Sequence, residues 1–185
     1  DNLIEDFIYN PEFLREKHAE EDFINANMII LGGDKDNQEK VKNLYENNSL
    51  CKTTNYVFTD KITASLIKYS INSFLASKVT FFNELKDLFN SSGATEDWDI
   101  FTDILAMDER IGNSHMNVPG HDGRLGFGGA CFTKDTAALI KYSQTLEKEF
   151  SLLKQVVEIN NNIRSKYDQV DKREKDQNVN YDFDN

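Results

Sequence analysis

At 185 residues and 21.3 kDa the chain is long enough for one ordinary domain and a little more, which excludes a large multi-domain machine. Its 21 Lys+Arg face 32 Asp+Glu, a net charge of −11 with a pI near 4.7, so a broad basic face for nucleic acid is excluded. Hydrophobic residues make up 39%, mean hydropathy is −0.59, and no run approaches the roughly 20 apolar residues of a membrane span. The chain therefore reads as soluble, with no membrane partner. The two cysteines, Cys51 and Cys131, and the acidic opening DNLIEDFIYN give neither a disulfide framework nor a secretory signal, so the expected setting is a reducing cytoplasm. No Met precedes a segment that already reads as structure, which suggests a piece of a longer chain.

In chain order, Met28 to Leu31, stopped by Gly32-Gly33-Asp34, predicts a short buried strand, and Asp36 to Tyr45 predicts a helix with Asp36 as its N-cap. Lys52 to Thr59 is β-branched and aromatic and predicts a second extended segment. From about Asp60 to Asn90, Ile67, Ile71, Phe74, Leu75, Phe82, Leu85 and Phe89 recur mostly three and four apart with no Gly or Pro, which predicts one long helix ended by Ser91-Ser92-Gly93. Such a helix is about 45 Å long at 1.5 Å per residue, so it needs bundle neighbours or a partner subunit along it. Helices are also expected over Thr95 to Met107, Thr133 to Leu146 and Glu147 to Tyr167, and no internal repeat is visible. From Asp168 onward charges and amides dominate, predicting a fraying helix end and a mobile tail. The expected organisation is an α/β region over 1–59, a helical domain over 60–167 and a polar tail over 168–185.

Five of the nine glycines fall between Gly120 and Gly129, and the run Gly126 to Asp135 delivers a lone cysteine, Cys131, to the start of a helix. Glycines admit close approach of backbone N–H groups to a ligand, and the start of a helix favours thiolate. Asp135 lies one turn further along the same face, where it could hold a water or a cation. The competing reading is a small buried hydrophobe behind a tight turn. Lys68 and Asn72, at i and i+4 on the long helix, form an anion site if the surroundings are buried and a solvated stripe edge if they are not. In Asn10-Pro11-Glu12-Phe13-Leu14-Arg15-Glu16, the carboxylates Glu12 and Glu16 are also i and i+4, either a general-base pair or the first turn of a helix. His18, His115, His121 and the cysteines lack metal-ligand spacing, so no metal is expected, and no G-x-G-x-x-G fingerprint occurs.

Four segments taken together, NPEFLRE at 10–16, LIKYSINSFLASK at 66–78, MDERIG at 107–112 and GFGGACFTKDTAAL at 126–139, resemble the UDP-glucose/GDP-mannose dehydrogenase family, most closely its UDP-glucose 6-dehydrogenase members, over roughly residues 7–165. The resemblance implies a mainly α chain: a small α/β remnant of a Rossmann domain, followed by a helical dimerisation domain like the 6-phosphogluconate dehydrogenase C-terminal domain, with one long helix forming a homodimer. The implied chemistry is oxidation of a nucleotide-sugar C6 alcohol to a carboxylate with two NAD. Cys131 would be the nucleophile, forming a thiohemiacetal and then a thioester. Lys68 would stabilise the oxyanion, Asn72 and Asp135 would place water or substrate, and Glu12 would serve thioester hydrolysis.

By the same resemblance Phe13, Leu14, Arg15 and Glu16 would border the sugar and the nicotinamide, with Glu16 and Cys131 next to the cofactor. Arg110 would reach the neighbouring subunit's substrate, and Phe127, Gly128 and Gly129 would line the nucleotide-sugar pocket. The chain departs from the family in lacking a nucleotide loop, the family's upstream threonine segment and a C-terminal domain, and in its longer stretch from His115 to Arg124. It is therefore expected to bind NAD poorly and to be inactive alone. A non-catalytic helical dimerisation module is the alternative.

Overall fold

A computed structural model describes residues 7–15, 18–167, 172–176, 178–179 and 181. The chain divides within its longest helix into two units, Asp1–Ser70 and Ile71–Asn185.

In the first unit, strand β1 (Ile29–Gly32) pairs in parallel with β2 (Tyr56–Thr59), Ile29 opposite Tyr56 and Leu31 opposite Phe58. The expected strand is therefore present one residue late, and all four of its residues are buried, as its unbroken apolar run requires. Helix α1 (Ala19–Ile24) precedes the pair and α2 (Lys35–Asn48) connects it. The α2 cap is Asp34 and not Asp36, because the Asp34 carboxylate accepts the Asn37 N–H three residues on, at 3.0 Å. Gln38 of α2 is buried, and its amide donates to the carbonyls of Leu31, Gly33 and Thr59 at 2.7–3.0 Å, tying the C-terminal ends of both strands together. Tyr9 adds an antiparallel bridge to Gly32, and the Asn10 amide donates to the Ile30 carbonyl at 2.9 Å. Residues 11–15 follow without helical structure, against the reading of EFLRE as a helix turn. The Glu12 carboxylate accepts the Leu14 N–H at 2.8 Å, and such local side-chain bonds compete with helix formation.

Helix α3 (Lys61–Ser91) is the expected long helix, 31 residues, starting behind Asp60, which accepts the Thr63 N–H at 2.9 Å. The second unit comprises its later part with α4 (Trp98–Ala106), α5 (Ala130–Thr145), α6 (Ser151–Arg164) and α7 (Lys172–Asp176). One core joins Phe82, Trp98, Met116 and Val118, with Phe89 and Phe101 against the indole; the other joins Ala76, Phe127 and Val156. Helix α5 begins three residues before the expected Thr133. That hydroxyl donates back to the Gly129 carbonyl at 2.8 Å, placing Thr133 inside the first turn and not at its cap. Helix α6 begins at Ser151 and not at Glu147, whose φ of 56° interrupts the chain between α5 and α6.

The tail expected to be mobile is structured where it is described. Glu174 in α7 is 1% exposed and Tyr181 is 7% exposed. The misreading has a physical cause: hydropathy sums count a buried, hydrogen-bonded carboxylate as solvated. Residues 168–171, 177, 180 and 182–185 of that predicted tail lie outside the described residues. Among the described residues no helix is long and apolar enough to cross a membrane, and no cluster of three or more His, Cys, Asp or Glu could hold a metal ion.

Candidate active site

Helix α5 starts at Ala130 with Gly129, at φ 74°, as its cap, so Cys131 is the second helical residue. The thiol is exposed, which removes the small-buried-hydrophobe reading. At this position unpaired N–H groups and aligned peptide dipoles favour negative charge. One turn on, Asp135 is fully buried; its carboxylate accepts the Asn72 amide at 2.6 Å and also pairs with Lys134. Thus Asn72 and Asp135, 63 residues apart in sequence, are brought together.

The loop that presents Cys131 is held by buried side chains that the sequence analysis did not identify. Asn83 accepts the Gly126 N–H at 2.9 Å, and Asn160 accepts the Phe127 N–H at 2.7 Å while donating to the Phe127 carbonyl at 3.0 Å. Arg164 donates to the Phe127 and Gly126 carbonyls, both at 3.1 Å, and to Asp122 at 2.6 Å. Glu174 accepts the Gly129 N–H at 3.0 Å and the Tyr181 hydroxyl. Burial first, then the Glu174 hydrogen bond, pushes the Tyr181 phenol above its usual range and keeps it a neutral donor. The glycine at 128 is required by close approach: a Cβ there would lie 2.5 Å from Arg164 Nη2 and 2.6 Å from Glu174 Oε1. The amides of Gly126, Phe127 and Gly129 are thus engaged by protein side chains, a different use from the ligand cradle expected of them. Phe127's ring is core, packed with Ala76 and Val156. The legible signal lay on α6, where Asn160 and Arg164 continue the buried stripe of Leu153 and Val156 at spacings of four.

In the first unit Lys68 Nζ lies 3.1 Å from Glu12 Oε1, with the lysine side chain 15% exposed. Neighbouring Phe13 and Leu14 are half-buried. Arg15 forms a two-pronged pair with Asp22, at 2.6 and 3.0 Å. Those hydrogen bonds hold the Asp22 carboxyl down to about 2. Glu16, the other half of the expected carboxylate pair, lies outside the described residues. Arg110 is exposed and pairs with Asp108 at 2.5 Å in its own loop. That loop is tied to α3 through Lys78, which donates to the Ile111 and Gly112 carbonyls at 2.9 and 3.1 Å; burial lowers the Lys78 pKa. The motif on α3 therefore touches each of the other three: Lys68 meets Glu12 within the first unit, and Asn72 meets Asp135 and Lys78 meets Ile111 and Gly112 within the second.

A family model described as the central domain of the UDP-glucose/GDP-mannose dehydrogenase family matches residues 62–162, more than half of the chain. The chain belongs to that family. The UDP-glucose 6-dehydrogenase of Rhizobium meliloti is 40% identical over 162 residues, covering 84% of this chain and 34% of that protein. That of Rickettsia felis is 37% identical over 153 residues, 82% of this chain and 32% of that one. Among solved structures, a UDP-glucose dehydrogenase from the archaeon Pyrobaculum islandicum superposes with a TM-score of 0.70 at 34% identity, covering 82% of this chain and 33% of that one. The chain thus spans about a third of the length of the curated relatives it matches.

Of the two described βα connections, Gly32-Gly33-Asp34 between β1 and α2 is the one with glycines, and it tests whether this family chain can hold a dinucleotide. The Asp34 carboxylate occupies the N-terminus of α2, where a pyrophosphate would need positive potential. A Cβ at Gly33 would lie 2.5 Å from Ile8 Cδ1, so the space above the turn is filled by the chain itself. The residues of this turn do not fit NAD.

Proposed function

We propose that this chain carries the covalent chemistry of a nucleotide-sugar 6-dehydrogenase of the UDP-glucose type, with Cys131 as nucleophile at the sugar C6. The observation that supports this reading most directly is an exposed thiol in the first turn of α5, directly after a loop pinned by buried side chains. At the aldehyde level, sulfur adds to the C6 carbonyl carbon, the C–S bond forms, and the π pair moves to oxygen, where the Lys68 ammonium is assigned to balance it. At the thioester level, water adds to the same carbon, Glu12 is assigned one of its protons, the C–S bond breaks, sulfur leaves as thiolate, and the C6 carboxylic acid gives its remaining proton to solvent to become a carboxylate. Asp135, oriented by Asn72, is assigned to place the water or the sugar hydroxyl. Phe13 to Glu16 are assigned to the sugar, the Phe127–Gly129 segment to the wall of the nucleotide-sugar pocket and not to hydrogen bonding through the Phe127 and Gly129 amides, and Arg110 to the partner subunit's substrate.

The family is NAD-dependent in general. Since the β1–α2 turn does not suit a dinucleotide, the two hydrides lost between alcohol and aldehyde and between thiohemiacetal and thioester would pass to NAD held outside that turn, and this chain alone is expected to leave UDP-glucose unoxidised. A second copy is assigned to α3, where Phe74, Phe81 and Leu88 recur every seven residues while 68%, 59% and 65% exposed. A free exposed thiol suits the reducing cytoplasm.

Iodoacetamide alkylation, read by peptide mass spectrometry, tests the nucleophile. Cys131 is expected to react faster at pH 7 than a cysteine in an unstructured peptide, and UDP-glucose is expected to slow Cys131 but not Cys51. A Cys131 rate at or below the peptide rate and unchanged by UDP-glucose would favour the non-catalytic dimerisation module instead.

A further inference from the structure

We propose that Glu174 is a positioning residue for Cys131. Its carboxylate, brought in by the C-terminal segment, closes the first turn of α5 and sets the charge felt by the thiol; the inference rests on the nucleophile reading above. The cap of α5 is Gly129, which has no side chain to accept an orphan N–H, and the acceptor arrives instead from 45 residues downstream. A carboxylate that is 1% exposed is costly to bury without partners. Glu174 has the Gly129 N–H at 3.0 Å, the Tyr181 hydroxyl, and Arg124 Nη1 at 3.9 Å. The absence of room for a Cβ at Gly128 means that this carboxylate packs directly on the loop backbone two and three residues before Cys131.

The charged groups around that point are Glu174 and Asp122 against Arg124 and Arg164, with Lys134 and Asp135 on α5 itself. The Arg–acid cluster is balanced only while Glu174 is charged. Neutralising Glu174 leaves the start of α5 more positive and favours thiolate at Cys131.

The test is the pH dependence of Cys131 alkylation in the full chain carrying Glu174→Gln, which keeps an acceptor for the Gly129 N–H and removes the charge. The expected result is a rate at pH 7 raised by about two- to fivefold, as for a charge placed at a helix terminus, with the pH–rate midpoint moved lower. A midpoint equal to that of the unmodified chain overturns the proposal. Should Glu174→Gln fail to fold, Tyr181→Phe removes the hydroxyl that Glu174 accepts and leaves its charge in place. Amide exchange over residues 126–132 is then expected to quicken severalfold, and unchanged exchange overturns the proposal. If Cys131 of the unmodified chain reacts no faster than the peptide cysteine, the nucleophile reading fails on its own, while the midpoint shift in Glu174→Gln still reports the contact.

Discussion

Alanine at position 128 introduces one carbon where the structure has no space. The new Cβ would lie 2.5 Å from Arg164 Nη2, 2.6 Å from Glu174 Oε1 and 2.7 Å from Arg164 Cζ. Neither neighbour can swing aside freely, since Arg164 is 4% exposed and Glu174 is 1% exposed. Moving the arginine breaks its bonds to Gly126, Phe127 and Asp122, whereas moving the glutamate releases the Gly129 N–H. Breaking one arm of a buried charged network costs about 3–5 kcal/mol. At about 2–4 °C per kcal/mol for a chain of this size, the melting temperature falls by roughly 6–20 °C. Gly93→Ala is the matched control, with φ 80° but no atom within 4 Å of its Cβ, so only backbone strain of about 1–2 kcal/mol applies. Thermal and urea unfolding, followed by the fluorescence of Trp98, measures both variants. A loss at 128 no larger than at 93 would refute the clamp as the element that fixes the loop.

Phe81→Glu places a charge in the middle of the exposed α3 stripe, and analytical ultracentrifugation at micromolar concentration is expected to show a shift from dimer to monomer. A species of unchanged mass would remove the second copy from α3. Asp22 has a folded-state pKa of about 2 against an ordinary 3.8, so its pair with Arg15 stabilises the fold above pH 3.8, an effect lost as pH falls through about 2. Asp22→Asn should therefore lower the urea midpoint at neutral pH, with the gap to the unmodified chain narrowing as pH falls from 3.8 toward 2; a gap at pH 2 as large as at neutral pH contradicts the assignment. Tyr181 is raised above its ordinary 10.0, so its stabilising contribution is complete below pH 10 and declines at higher pH, by up to about 1.4 kcal/mol per pH unit. Tyr181→Phe should flatten that alkaline decline, and an unaltered slope would argue against a buried phenol.

The elements with clear periodicity were legible: β1 from its apolar run, α3 from its stripe, and α5 from glycines preceding a helical pattern, although it starts three residues before the expected Thr133. The pairing of Asn72 with Asp135 and of Lys68 with Glu12 could not be read from periodicity, because each joins residues more than fifty positions apart. The family resemblance selected those residues, but not their partners. What remained hidden was polar burial. Asn160, Arg164 and Glu174 sit in the interior because the carbonyls and amides of residues 126–129 satisfy them; stripe spacing on α6 points to the first two, whereas no pattern points to Glu174. Local hydrogen bonds likewise decided the boundaries, with Asp34 displacing Asp36 as a cap and Thr133 bonding backward to Gly129.

A crystal structure of the chain with UDP-glucose bound is the most direct measurement of whether Cys131 attacks the sugar. The account predicts the glucose C6 beside Cys131 Sγ, within about 3–3.5 Å as attack geometry requires. An ordered UDP-glucose with C6 directed away from that sulfur would contradict it.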